Sequence, residues 1–424
     1  MTAPSTRTPS RLGSFDACST PPSNGNPVPA FNPRRRVLLG QDHPSVGSEE
    51  RGCASPCSDR SAPGARRKSS TFGPGPAANA DPLARAGFDV LSLANNHIGD
   101  GGHRGLRDTI RVLNGLGIAT VGAGGDIAEA RSPAIVERDG IRVGFLAYAS
   151  VFPYGYEARG SVPGLAPIRS YTHYNPPTDN LWDPGAAPSI TTEEVPEDAE
   201  ALIDDITATR ERADVVVVSV HWGDMYKPFV LRDHERRIAR LVIDAGADVV
   251  LGHHHHMWRG MEFYRGKPIW YGLGHHLFDL PDIEKRIAAD GDAIPPIGPA
   301  DDAGLDRYSG SYRLGHRAGY PLLPFHPDGR LTGVAIVRAG RDGVGAVGFA
   351  PAVINQANEP IAVAPDSDEG RRVLDYLKEC CTSQGLRVRF GTPEADSGLP
   401  PGCVQLLPPD GTTRSTGEEV DVFA

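Results

Sequence analysis

Three short stretches of this chain carry side chains able to bind a metal ion and to move a proton. Asn95-Asn96-His97 is followed by Asp100, His221 is followed by Trp222-Gly223, and His253-His254-His255-His256 forms an unbroken run. Neutral imidazole is the commonest metal-ligating side chain, and carboxamide or carboxylate oxygen completes harder sites. His254 and His256 form an H-x-H pair, which can aim two imidazoles at one ion or at two adjacent ions. In the Asn96-His97 dipeptide the amide oxygen can go to a metal while the neighbouring imidazole handles a proton. Asp100, three residues on, is placed to hold His97 in one tautomer. Taken singly, each stretch has a plainer reading: Asn-Asn-His as turn chemistry, His221 as a hydrogen-bonded core residue, the histidine run as a surface tract. Trp222, Trp258 and Trp270 read as core or pocket walls. What raises the three above chance is their common placement. With His275 and His276 included, eight of the 14 histidines directly follow a strand-like run.

Those runs are FDVLSLA (88–94), ADVVVVSV (213–220), ADVVLG (247–252) and IWYGLG before His275. The first three are nearly continuous in apolar residues, which predicts strands buried on both faces. Ligand sites in open α/β sheets form where strands end. Helices are predicted over 82–87 after Asp81, 104–115, 194–212, 231–245 ending at Gly246, and 368–380. A further strand is predicted over 117–123. Hairpins are predicted at 134–150, turning on Asp139-Gly140, and at 261–274, turning near Arg265-Gly266. Residues 151–192 form a long excursion of the lid or binding-loop kind, and 281–308 read as a loop. Strands near 331–338 and 344–350 precede the last helix. Alternating strands and helices with hairpins give an α/β class with mixed sheets.

Composition sets the outer bounds. The chain has 424 residues, 39% hydrophobic, with a formal charge of −10. The acidic balance argues against nucleic acid as a partner, and no apolar run approaches the roughly 18 residues of a spanning helix. Residues 1–80 hold 10 Lys and Arg against 5 Asp and Glu and are rich in Ser, Pro and Gly. Such text buries too little apolar surface to offset the entropy of ordering, so it is read as a disordered segment. Residues 81–355 are read as the folded domain, and 356–424 as a helix and tail. Cys18, Cys53, Cys57, Cys380, Cys381 and Cys403 show neither a zinc spacing nor a disulfide framework, and read as ordinary thiols of a reducing compartment. The start lacks a secretory layout, so a cytoplasmic location is expected.

The residues above resemble the CapA family of capsule-synthesis proteins, within the calcineurin-like metallophosphoesterase superfamily. The matching text is AGFDVLSLANNHIGDGG, GIATVGAGGDIAEARSPAIVERDGIRVGFLAYAS, VVVVSVHWGDMY and LVIDAGADVVLGHHHHMWRGMEFYRGKPIWYGLGHHLFD, with a weaker match at PAVINQANEPIAV. The resemblance implies a calcineurin-like four-layer α/β/β/α sandwich with two divalent ions, Mn, Fe or Zn, at the strand ends. It implies Asn96, His221 and His254 as ligands to one ion, His256 as a ligand to the other, and His97 as the proton donor to a leaving group. His255 stands where the family usually has proline, and His275 where it usually has asparagine.

One departure lies upstream. Family members open with a strand ending in Gly-Asp and a second ending in Asn-Leu-Glu, whose carboxylates hold and bridge the metals. RVLLGQD (36–42) echoes only the first, with Asp42 displaced by one residue as a candidate ligand, and Glu49 and Glu50 follow too soon to be the second. Either an altered reading frame or start site has replaced the native strands and any membrane anchor, or the chain is a relative with an incomplete site. The implied activity is metal-dependent phosphoester hydrolysis linked to poly-γ-glutamate capsule or to a peptide-derived product. A metal-dependent peptide epimerase and a non-catalytic component binding an anionic polymer or capsule-assembly partner are the alternatives. Substrates of the first two kinds would be phosphoesters or peptides.

Overall fold

The computed structural model describes residues 36–41, 46–47, 75–176, 187–276, 278, 319–320, 322–323, 325–410 and 419–424, with side chains from residue 75 onward, Glu419 excepted. Strand β1 (Arg36–Gln41) comes first, then helix α1 (Asp81–Ala86), strand β2 (Val90–Ser92), helix α2 (Gly102–Gly115), strand β3 (Ala119–Val121) and helix α3 (Ile127–Arg131). The hairpin of β4 (Ala134–Arg138) and β5 (Ile141–Ala149) follows. Its turn residues Asp139 and Gly140 both have positive φ, 49° and 77°, as the tight hairpin turn requires. After the excursion come α4 (Pro196–Arg210), β6 (Val215–His221), α5 (Asp233–Asp244), β7 (Val249–His253), and the hairpin of β8 (Met261–Tyr264) and β9 (Lys267–Trp270). The C-terminal part adds β10 (Leu331–Gly340), β11 (Gly343–Ile354), β12 (Pro360–Ala362), α6 (Asp368–Ser383), β13 (Arg389–Gly391), β14 (Val404–Leu407) and β15 (Glu419–Phe423).

Two mixed sheets result. The larger runs β13-β14-β11-β10-β15-β1-β2-β3, with β12 on β11, and the smaller runs β8-β9-β7-β6-β5-β4. The all-apolar strands occupy the parallel middle of the smaller sheet: β6 lies between β5 and β7, parallel to both. Every residue of β6 and β7 is buried, the pattern of strands covered on both faces. Helix α2 packs on the larger sheet, and α4 and α5 pack on the smaller one. The sheets meet through aromatic rings. Trp258 crosses Trp270 and Phe349 edge-to-face at 5.4 and 4.9 Å between centroids, and Trp258, Trp270 and Phe349 are fully buried. This is the expected α/β/β/α class. Among the described residues, no helix is long and apolar enough to cross a membrane.

Three parts differ from expectation. Within residues 1–80, read as disordered, Arg36–Gln41 is a strand. It pairs in parallel with β15 through Arg36–Leu38 and with β2 through Leu39–Gln41. Neighbouring backbone supplies the ladder that its local sequence cannot stabilise alone. Residues 356–424, read as helix and tail, contribute β13, β14 and β15 to the larger sheet. The excursion is also partly ordered. Ser170–Asn175 and Ser189–Glu194 pair as an antiparallel hairpin, which is pinned to α5 by the ion pair of Glu194 with Arg237 at 2.8 Å. Residues 281–308 lie outside the described residues, as do Cys18, Cys53 and Cys57. Cys380, Cys381 and Cys403 are free and buried; burial pushes the thiols of Cys381 and Cys403 up to about 11 and about 12, which makes them poor nucleophiles.

Candidate metal centre

The strand ends of the smaller sheet form a row. Ala149, His221 and His253 are in register across β5, β6 and β7, so the turns that follow emerge side by side. The loop after β2, in the other sheet, closes on this row: the Asn96 N–H points at His221 Nε2, 3.4 Å away. His221 Nδ1 lies 2.9 Å from His253 Nδ1, so one of these two rings carries the shared proton. The His254 ring lies 4.5 Å from that of His221, centroid to centroid. Asn96, His221 and His254, widely separated in sequence, thus occupy one small volume.

Close approach of the strands has a local cause. Gly252 precedes the histidine run, and a Cβ there would lie 2.2 Å from Tyr271 O and 2.5 Å from Trp222 Nε1. The Trp222 indole donates to that same carbonyl at 2.8 Å. Any larger residue would push the run away from His221.

The backbone of the run is strained. His254 has φ 103° and His256 φ 57°, values that cost about 1–3 kcal/mol each for a residue with a Cβ and persist only where the surroundings enforce them. The consequence is that neighbouring side chains diverge. His254 turns to His221. His256 stacks on Phe325 at 3.9 Å, with Phe278 at 5.0 Å and His275 at 5.6 Å. His255 turns inward to Glu235, Nε2 to Oε1 2.9 Å, both side chains fully buried.

On the other rim, the His97 backbone is set by an Asx turn in which Asn95 Oδ1 accepts the His97 N–H at 2.9 Å. His97 Nδ1 meets Asp100 Oδ2 at 2.8 Å. Tyr156, from the excursion, donates its hydroxyl to Asp100 Oδ1 at 3.0 Å. The phenol is pushed far above its ordinary value, first by burial and then by the Asp100 charge and hydrogen bond, so it remains a donor.

Burial, followed by the neighbouring imidazoles of His255, His253 and His97, holds His254 well below the ordinary histidine value. A neutral imidazole is the ligating form. Burial also pushes the Glu235 carboxyl up to about 7 and holds His255 well down. Asp224, in the loop after β6, is the carboxylate whose charge acts on both His254 and His255. It is already engaged, accepting from the Tyr226 N–H at 2.8 Å and pairing with Arg232.

Whether these groups suit a metal turns on their unsatisfied atoms. Among the described residues, Asn96 Oδ1 and His254 Nδ1 have no hydrogen-bond partner and are buried, which is costly unless another species completes them. An amide oxygen and a neutral imidazole nitrogen are the donors expected for one divalent ion. Among the described residues, no three His, Cys, Asp or Glu side chains converge at metal-binding distance. The donors therefore fit part of one ion's shell. Asp42, the remaining candidate ligand, lies outside the described residues. No motif singles out Glu235 or Tyr156, and His253, though part of the histidine run, is given no role by it. Glu235 looks like an ordinary first-turn helix acid, and Tyr156 sits in aperiodic text.

Residues 53–280 match the family described as Bacterial capsule synthesis protein PGA_cap. The chain is 31% identical over 203 residues to the PGA biosynthesis protein CapA of Bacillus subtilis (strain 168), covering 48% of this chain and 46% of that one. It is 37% identical over 198 residues to a probable polyglutamine synthesis accessory protein of Mycobacterium tuberculosis (strain ATCC 25618 / H37Rv), covering 46% of each. It is 30% identical over 203 residues to the capsule biosynthesis protein CapA of Bacillus anthracis, covering 46% of this chain and 42% of that one. The match thus spans less than half the length of these relatives.

Proposed function

This chain belongs to the bacterial capsule synthesis protein PGA_cap family, and from that premise we propose that it is a metal-dependent hydrolase of the phosphoesterase type, serving the synthesis of an anionic capsule polymer or a peptide-derived product. The observation that carries this reading is the meeting of Asn96, His221 and His254 beside the His97–Asp100 pair. Asn96 Oδ1 and the His221 and His254 rings would hold a divalent ion; Asp42 and His256 are the further candidate ligands. When bound, such an ion supplies Lewis-acid chemistry at a phosphoryl oxygen.

The chain's own groups do the rest. Asp100 accepts from His97 Nδ1, so Nε2 is the nitrogen that would give or take the proton of a substrate oxygen. The Tyr156 hydroxyl, by donating to the other Asp100 oxygen, keeps the carboxylate turned toward His97. The His97 side chain is 24% exposed, against 6% for Asp100, so the imidazole is reachable by substrate while its orienting partner is covered.

The test is turnover of a generic phosphodiester, bis(p-nitrophenyl) phosphate, by the full chain with added Mn2+, before and after chelation. Metal-dependent hydrolysis that falls on His97→Ala supports the reading. A second reading has one observation in its favour: among the described residues, no group of three or more His, Cys, Asp or Glu side chains is placed to hold a metal ion. On that reading the chain is a non-catalytic accessory component that binds an anionic polymer or a capsule-assembly partner. Tight metal binding with no hydrolysis of the diester, together with retention on a poly-γ-glutamate resin, would favour it.

A further inference from the structure

We propose that Glu235 is a positioning residue for the four-histidine turn, its carboxyl group gripping His255 so that the strained backbone presents His254 to the site. The inference rests on the reading of His254 as a metal ligand. One carboxyl group makes two connections. Oε1 meets His255 Nε2 at 2.9 Å, and Oε2 accepts the Arg232 N–H at 2.5 Å at the start of α5. The turn is thereby tied to the rigid end of a helix, and both side chains of the pair are wholly out of solvent.

The held residue is the one that matters for geometry. His255 lies between the two non-glycine residues of the run with positive φ, His254 at 103° and His256 at 57°. Unusual backbone of this kind needs a fixed point close by, and the Glu235 contact supplies one at the middle residue. The loop after β6 has made room for it. Gly223 has φ +85°, and a Cβ at that position would lie 2.1 Å from His255 Nε2 and 2.7 Å from Glu235 Oε1. Three separate elements, the loop after β6, the start of α5 and the turn after β7, therefore fit together around this pair. The gripped histidine is also the residue that stands where the family usually has proline. Proline stiffens a turn by fixing its own φ, whereas here the stiffness comes from a buried hydrogen bond.

The test is a Co2+ titration of the full chain followed by visible absorption, for the wild type, Glu235→Ala and Glu235→Gln. Glutamine can accept the Arg232 N–H and donate to His255 Nε2, so it keeps both connections. The expected result is a loss of Co2+ affinity of about tenfold or more with a shifted absorption band for Glu235→Ala, and affinity within about threefold of wild type for Glu235→Gln. Wild-type binding with Glu235→Ala unchanged in affinity and spectrum overturns the role of Glu235 and leaves the metal reading standing. A wild-type chain that binds no Co2+ removes the metal reading, and this inference with it. If Glu235→Ala does not fold, His255→Ala makes the same comparison with the Glu235–Arg232 backbone hydrogen bond left intact.

Discussion

His97 and His254 ask opposite things of their surroundings. A ligand must stay neutral, and burial among other imidazoles holds His254 in that form. A proton carrier must be reachable and oriented, and His97 is partly exposed with Nδ1 on Asp100. If the assignment is right, His97→Ala lowers kcat for a phosphodiester by about 10²–10⁴ with metal content unchanged, and Asp100→Asn costs about tenfold or more by loosening the ring. Steady-state kinetics paired with metal analysis checks both. Glu235 allows a prediction about pH. Its carboxyl is raised from 4.5 to about 7 in the fold, so the native state keeps a proton that the unfolded chain releases. That contribution to stability is complete below about pH 4.5 and is lost as pH rises through about 7. Glu235→Gln, which cannot ionise, should therefore flatten the fall in melting temperature between about pH 5 and about pH 8. At this scale the legible residues were those set by short-range pattern. Asn96, His97 and Asp100 sit within one turn, and His221 and His254 end apolar strands. Glu235 and Tyr156 act on the site from a helix and an excursion, where local text carries no sign of the distant partner.

Strands β2, β5, β6 and β7, the hairpin turns and helices α1, α2, α4, α5 and α6 are visible in periodicity and capping because each is encoded within a few residues. Helix α1, for example, starts with Pro82 in its first turn and ends at Gly87 with φ 85°. Strands β1 and β15 are different. Arg36–Leu38 pair with Asp421–Phe423, residues from opposite ends of the chain, inside segments dominated by turn-forming residues. Their strand character comes from the ladder, which no local window contains. Because β1 has neighbours on both sides, a proline within it removes a hydrogen bond that water cannot replace. Leu39→Pro, opposite Val90, should lower unfolding free energy by at least about 2 kcal/mol. Urea denaturation measures this, and a change within error would mean that β1 contributes little to the sheet.

The two sheets must be held together for the site to exist, because Asn96 comes from the larger sheet's side and His221 and His254 from the smaller. The seam is aromatic, with Phe349 of β11 set against Trp258 and against Trp270 at 6.1 Å. Phe349→Ala should cost about 3–5 kcal/mol in urea unfolding and should weaken metal retention as the sheets loosen. The account as a whole rests on imidazole and amide groups from distant parts of the chain serving one ion. The most direct measurement is metal content after loading with Mn2+ and desalting, for the wild type and His254→Ala side by side. The account predicts about one equivalent or more in the wild type and close to none in the variant. A wild-type chain that retains under about a tenth of an equivalent, or a variant that retains as much as the wild type, would contradict it.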